Sequence, residues 1–138
     1  MKRILIVEDD PSIRKALSIG LALNNYKVDT AGDGAGGVLL GSISEYDIVI
    51  ADLCLPDFNG IEVLRQIKQL YPDIIPIVMT GNGSIESTIE AIHLEISDYL
   101  ENPISLKQVE NAILYGIKKR NEKYREMRKS LKRMMDLS

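Results

Sequence analysis

The apolar run 48–51 (Ile-Val-Ile-Ala) is closed by Asp52, and the first strand candidate, residues 3–7 (Arg-Ile-Leu-Ile-Val), is closed by Glu8, Asp9 and Asp10. Strand ends that point the same way in a parallel sheet bring their side chains to one crevice, the usual ligand site of open α/β folds. Three carboxylates converging there repel one another at neutral pH unless a cation sits among them, and all-oxygen ligation selects a hard ion such as Mg2+. The chemistry such a crevice supports is metal-assisted phosphoryl transfer.

The rest of the chain has to bring those strand ends together. Apolar runs alternate with segments of helical period, the pattern of βαβ units and a parallel sheet. The expected strands are 3–7, 26–30, 47–51, 74–79 and 97–100. Asp10 caps a first helix that begins at Pro11, carries Ile13, Ala16, Leu17, Gly20 and Leu21 on one face and stops at Asn24-Asn25. A second helix over 34–44 is weakened by Gly34, Gly36, Gly37 and Gly41. The loop 53–60 has turn chemistry at Pro56 and Asn59-Gly60 and leads into a third helix with Ile61, Leu64, Ile67, Lys68 and Tyr71 along it. A fourth helix, 84–94, is expected to bury Ile85, Ile89 and Ile92, and a long fifth starts near Ser105.

Composition agrees with one small domain. At 138 residues and 45% hydrophobic content the chain can bury a core, which must be aliphatic because Trp is absent. A single cysteine, Cys54, excludes an intramolecular disulfide framework and suits a reducing compartment. No run reaches the roughly 18 to 20 apolar residues of a membrane span, and the N-terminus is a strand pattern rather than a signal peptide. A cytoplasmic protein without membrane attachment is expected. The formal charge of −3 hides an asymmetry: residues 1–117 hold 8 Lys/Arg and 17 Asp/Glu, whereas 118–138 hold 9 and 3. An acidic body carries a basic helical tail.

Four separated segments carry a resemblance: 4–11 (Ile-Leu-Ile-Val-Glu-Asp-Asp-Pro), 47–60 (Asp-Ile-Val-Ile-Ala-Asp-Leu-Cys-Leu-Pro-Asp-Phe-Asn-Gly), 76–81 (Pro-Ile-Val-Met-Thr-Gly) and 97–104 (Ser-Asp-Tyr-Leu-Glu-Asn-Pro-Ile). In this order and spacing they make Lys2 to about Gly116 resemble the receiver domain of two-component response regulators. The resemblance implies an α/β fold of flavodoxin-like type: a doubly wound, five-stranded parallel sheet of order 2-1-3-4-5 with five helices, the last extended. It also implies a phosphoacceptor, Asp52, that takes a phosphoryl group from a histidine kinase or phosphotransfer protein. By the same resemblance Glu8, Asp9 and Asp52 hold Mg2+ with the Cys54 backbone carbonyl, Thr80 is the switch hydroxyl, and Tyr99 is the aromatic whose orientation follows phosphorylation. The acyl phosphate formed is open to hydrolysis, so the chain would catalyse only its own phosphorylation and dephosphorylation. The altered surface would lie on the fourth helix, fifth strand and fifth helix.

Other polar residues have simpler readings. Asp10 is expected to be a helix cap and His93 a solvated helix residue, while Cys54 and Asn82 flank the site and are expected to tune water access, with packing as the alternative role for Cys54. Asn102 stands where the family has lysine. A neutral amide on a shorter stem replaces an ammonium ion, and charge-assisted hydrogen bonds are roughly twice as strong as neutral ones. Weaker phosphorylation, or weaker coupling of it to the switch, is expected, and the alternative is a pseudo-receiver that serves only as a protein-interaction module. The Asn102-Pro103 bond is a candidate cis peptide, and Glu95-Ile96 replaces the small Gly-Ala pair usual before the fifth strand. A phosphatase of the haloacid-dehalogenase type would need an acid at Cys54, and a flavodoxin would need a Ser/Thr/Gly-rich loop in place of residues 8–11.

Beyond the resemblance, Ile113, Ile117, Arg120, Tyr124, Met127, Leu131 and Met134 step alternately by four and three, the seam of a coiled coil. The expected division is a receiver over 1–116 and a basic helical extension over 117–138. The extension would pair two copies or pass on a signal; direct nucleic-acid binding is not expected of it. The chain is either a stand-alone regulator or the front piece of a longer protein.

Overall fold

A computed structural model describes residues 1–81, 83–101 and 104–137. Strands β1 (Arg3–Val7), β2 (Lys27–Ala31), β3 (Ile48–Asp52), β4 (Ile75–Thr80) and β5 (Asp98–Glu101) pair in parallel in the order β2-β1-β3-β4-β5. Helices α1 (Pro11–Leu23), α2 (Gly34–Ile43), α3 (Gly60–Leu70) and α4 (Ile85–Leu94) make the four crossovers that parallel strands require, and α5 (Leu106–Asp136) follows β5. The expected flavodoxin-like fold is the one found. Four strands run one residue further than their apolar runs suggest, so Asp52 and Thr80 are last rungs of the ladder, opposite Met79 and Glu101. A polar side chain ends the hydrophobic pattern without ending the pairing, which uses only backbone groups.

Both sheet faces are buried, and the strand period of two sorts their side chains. Leu5, Val7, Val49, Ala51 and Val78 face α2, α3 and α4, packing with Val63, Leu64, Ile67 and Ala91. Ile4, Ile6, Ile48, Ile50, Ile77 and Met79 face α1 and α5, packing with Leu17, Leu21, Val109, Ala112 and Ile113. In α2 a glycine that weakens the helix gives it proximity in return. A Cβ on Gly41 would sit 2.3 Å from Ile67 Cδ1, so this helix approaches α3 as closely as its bare backbone allows.

Two helices have a buried face other than the expected one. In α4, Ile85, Ile89 and Ile92 are 81%, 48% and 67% exposed, and the buried residues are Ser87 and Ala91. The helical period is right and its phase is wrong, because the inward face is set by what α4 must meet, the Tyr99 hydroxyl, which lies 3.0 Å from Ser87 Oγ. In α1 only Leu17, Gly20 and Leu21 are buried, while Ile13 and Ala16 are exposed.

The long helix α5 has 31 residues. Val109, Ala112, Ile113 and Gly116 are buried, and Ile117 packs against the same core. Arg120, which its spacing puts on the seam, instead forms an ion pair of 3.1 Å with Asp47 and also donates toward the Asp73 carbonyl at 3.5 Å. Asp47 is a junction: it accepts from the Arg3 N–H on its side chain and from the Ile75 N–H on its carbonyl. Burial acts to raise the Asp47 carboxyl, but the Arg3 N–H and the Arg120 guanidinium outweigh it and hold the group below its ordinary range. Further on, Met127, Leu131 and Met134 are 56%, 57% and 67% exposed. The heptad stripe is thus one face serving two purposes, intramolecular up to Arg120 and open beyond Tyr124. No helix among the described residues is long and apolar enough to cross a membrane.

Candidate functional site

Glu8 directly follows β1, Asp9 follows Glu8, and Asp52 is the last residue of the neighbouring β3. The turn that carries the first pair is fixed locally. Asp10 caps α1 by accepting from the Ser12 and Ile13 N–H groups at 2.8 and 3.3 Å, which confirms it as a cap. Arg14, one turn into α1, donates to the Glu8 carbonyl at 2.7 Å and ties the acidic turn to its helix.

The three side chains meet. One oxygen from each of Glu8, Asp9 and Asp52 lies within 4.8 Å of the others. Glu8 is 3% exposed, and its Oε2 is buried without a hydrogen-bond partner. Burial first, then contact with Asp52 and the charges of Asp9 and Asp10, drive the Glu8 carboxyl well above its ordinary range. Leaving a buried carboxylate oxygen without a donor is costly, and a hard divalent cation supplies what no N–H does here. The donor set of Glu8, Asp9 and Asp52 therefore fits a hard divalent cation such as Mg2+.

Around the acids, the Asp52 carboxylate accepts from the Cys54 N–H at 3.0 Å through Oδ1, which fixes its plane. Thr80, the last residue of β4, is 1% exposed and lines a cavity of about 90 Å³ shared with Glu8, Asp52, Met79, Leu17 and Ile13. Tyr99 is half-buried on β5 and turned toward the start of α4, where it meets Ser87. Glu95 closes α4 in the left-handed conformation with φ 60°, so the residue replacing the family's glycine adopts the backbone that glycine would favour. His93 and the Cys54 side chain are exposed. Asn82, Asn102 and the Asn102-Pro103 bond lie outside the described residues.

Three contacting residues were missed in the sequence: Arg14, Ser87 and Asp57, whose carboxylate reaches the N-terminus of α2. Ser84 and Ser87 form a capping box, so the Ser-x-x-Ser spacing was a visible signal for a helix start, though not for contact with Tyr99. Arg14 and Asp57 left no such signal.

The family model of the response regulator receiver domain matches residues 4–114. Over 107 residues the chain is 36% identical to the "Probable transcriptional regulatory protein SilR" of Salmonella typhimurium and 34% identical to the transcriptional regulatory protein QseB of Haemophilus influenzae. Those alignments cover 78% of this chain but 47% and 48% of the two relatives, so the chain spans about half their length. A CheY-like response regulator receiver domain protein from Methanospirillum hungatei superposes with a TM-score of 0.86 at 25% identity, covering 89% of this chain and 98% of that one.

Proposed function

The chain belongs to the response regulator receiver domain family, and from that premise we propose that it is a phosphoacceptor switch working through Asp52. The observation that carries this is the convergence of Glu8, Asp9 and Asp52 around a buried carboxylate oxygen with no donor. Mg2+ bound there, with the Cys54 carbonyl as a further ligand, would neutralise charge on the carboxylates and on the incoming phosphoryl oxygens. The Cys54 N–H holds one Asp52 oxygen, and the other is the nucleophile. Its bond to phosphorus forms as the phosphorus–nitrogen bond to the donor histidine breaks, giving an acyl phosphate and a free imidazole. Thr80 donates its hydroxyl to the phosphoryl group and draws its loop inward. Tyr99 then exchanges its contact with Ser87 for the space vacated, altering the α4-β5-α5 surface. The donor is a histidine kinase or phosphotransfer protein, and the setting is the cytoplasm. Intact mass after incubation with acetyl phosphate and Mg2+ tests this reading and should rise by one phosphoryl group per chain.

A second reading rests on Asn102. If the missing lysine weakens the phosphorylated state, Asn102→Lys should raise the phosphorylated fraction at fixed donor by about fivefold, the equivalent of ~1 kcal/mol between charge-assisted and neutral hydrogen bonds. Equal yield and equal switching in parent and variant would remove the only support for a pseudo-receiver.

The receiver body is best ended after Tyr124 rather than at Gly116, since Ile117 and Arg120 both hold the body. The stripe left for a second copy is Met127, Leu131 and Met134, flanked by a strongly basic surface. Parallel pairing brings like charges together, so self-association through this stripe is expected to be weak and to strengthen with salt as the screening length falls to about 10 Å at 0.1 M. Sedimentation of the full chain and of one ending at Arg125 is the measurement. The shorter chain should lose association while keeping its fold; two monomers at high micromolar concentration would rule the pairing out.

A further inference from the structure

The segment Gly-Ala-Gly-Gly that opens α2 is poor helix material, and a helix start leaves four backbone N–H groups without partners. Asp33 serves one of them locally, accepting from the Gly36 N–H at 2.7 Å. The first two are served from 22 and 23 residues away. Asp57 accepts from the Gly34 N–H at 2.7 Å through Oδ1 and from the Ala35 N–H at 2.8 Å through Oδ2, so both its oxygens sit on the helix start. Phe58 N–H adds a third donor at 3.0 Å. Charge on a carboxylate is favoured there by aligned peptide dipoles.

Asp57 belongs to the loop that runs from Asp52 at the end of β3 to Gly60 at the start of α3. At its base this loop is closed by a bridge between Cys54 and Asn59 and by the Gly60 N–H on the Leu53 carbonyl at 3.0 Å. Its tip is held to α2 through the Asp57 carboxylate, while Leu55 and Phe58 pack against the core. Cys54, at that base, places its N–H on the Asp52 carboxylate.

We propose that Asp57 is a positioning residue for the acidic site: seated on the first two N–H groups of α2, it holds the β3–α3 loop so that Cys54 keeps its N–H on Asp52 and its carbonyl turned to the cation. This rests on the phosphoacceptor reading above. Residues that orient metal ligands without touching the metal commonly change affinity by about tenfold or more when removed. The role is therefore legible in Mg2+ binding, apart from catalysis.

The experiment uses the full chain with Asp57→Ala and the conservative Asp57→Asn, which keeps one acceptor oxygen. In metal-free protein, amide exchange at Gly34 and Ala35 should quicken in Asp57→Ala and less so in Asp57→Asn. Calorimetric titration should show Mg2+ affinity reduced by about tenfold in the alanine variant and less in the asparagine variant. Phosphorylation from acetyl phosphate should be recovered at saturating Mg2+. Unchanged exchange at both amides overturns the proposal, and so does faster exchange with unchanged Mg2+ affinity, which would leave Asp57 a helix cap only. If alanine unfolds the chain, the asparagine variant decides by the same two readouts. A parent chain that binds Mg2+ but takes up no phosphoryl group refutes the phosphoacceptor reading, while the two binding readouts still decide the role of Asp57.

Discussion

Asp52→Asn is expected to abolish phosphorylation completely and, without metal, to make the protein more stable than its parent. The first effect follows from chemistry: an amide cannot form an acyl phosphate, and Asp52 is the strand-end carboxylate that joins Glu8 and Asp9 and lines one cavity with Thr80. Incubation with acetyl phosphate and Mg2+ should add one phosphoryl group per chain to the parent and none to the variant, and chelation should prevent labelling of the parent. Labelling of Asp52→Asn at the parental level would overturn the assignment. The second effect follows from geometry. Three acids whose oxygens lie within 4.8 Å of one another repel, and Glu8 bears this repulsion while buried. Removing one charge should raise stability by about 1 to 2 kcal/mol in chelator. Mg2+ should raise the melting temperature of the parent and do little for the variant. Thermal denaturation of both proteins, with chelator and with Mg2+, gives all four values; a variant less stable than its parent in chelator would contradict the repulsion.

Gly60→Ala is expected to be the most destabilising single-methyl change near the site. A Cβ at Gly60 would lie 2.0 Å from the Asp52 carbonyl oxygen and 2.7 Å from its carbon, and both are backbone atoms that cannot rotate away. None of the described glycines has a positive φ, so this one is required for room rather than for a special conformation. Accommodating the methyl means moving either the end of β3 or the start of α3, including the Gly60 N–H bond to Leu53. Such overpacking against backbone costs about 3 kcal/mol or more, corresponding to a fall of roughly 10 °C in melting temperature for a chain of this size. The same displacement would shift the phosphoacceptor, so phosphorylation should slow even well below the melting temperature. A melting temperature within 2 °C of the parent would show that the β3–α3 junction yields more easily than these distances imply.

Most of the architecture was open to a reader of the sequence because strands and helices write their own periods. Apolar runs ending in Glu8, Asp52 and Thr80 mark strands whose carboxyl ends share one edge, and Asp10, Ser84 and Ser105 announce helix starts through local capping chemistry. Strand order and the roles proposed for Asp52, Thr80 and Tyr99 came from resemblance, since nothing local in a strand states its neighbour. The structure decided whatever depends on distant partners. The α4 pattern of Ile85, Ile89 and Ile92 is equally regular whether it faces in or out, and the Tyr99 hydroxyl on β5 settles that Ser87 faces in. The α5 stripe reads as one seam, yet Arg120 finds Asp47 across 73 residues and divides it. Asp57 looks like an ordinary turn residue until α2, 22 residues upstream, presents two bare N–H groups to it. Periodicity is a property of the backbone and survives in sequence; the choice of face, and the pairing of a charge with a distant partner, exist only once the sheet has brought those segments side by side.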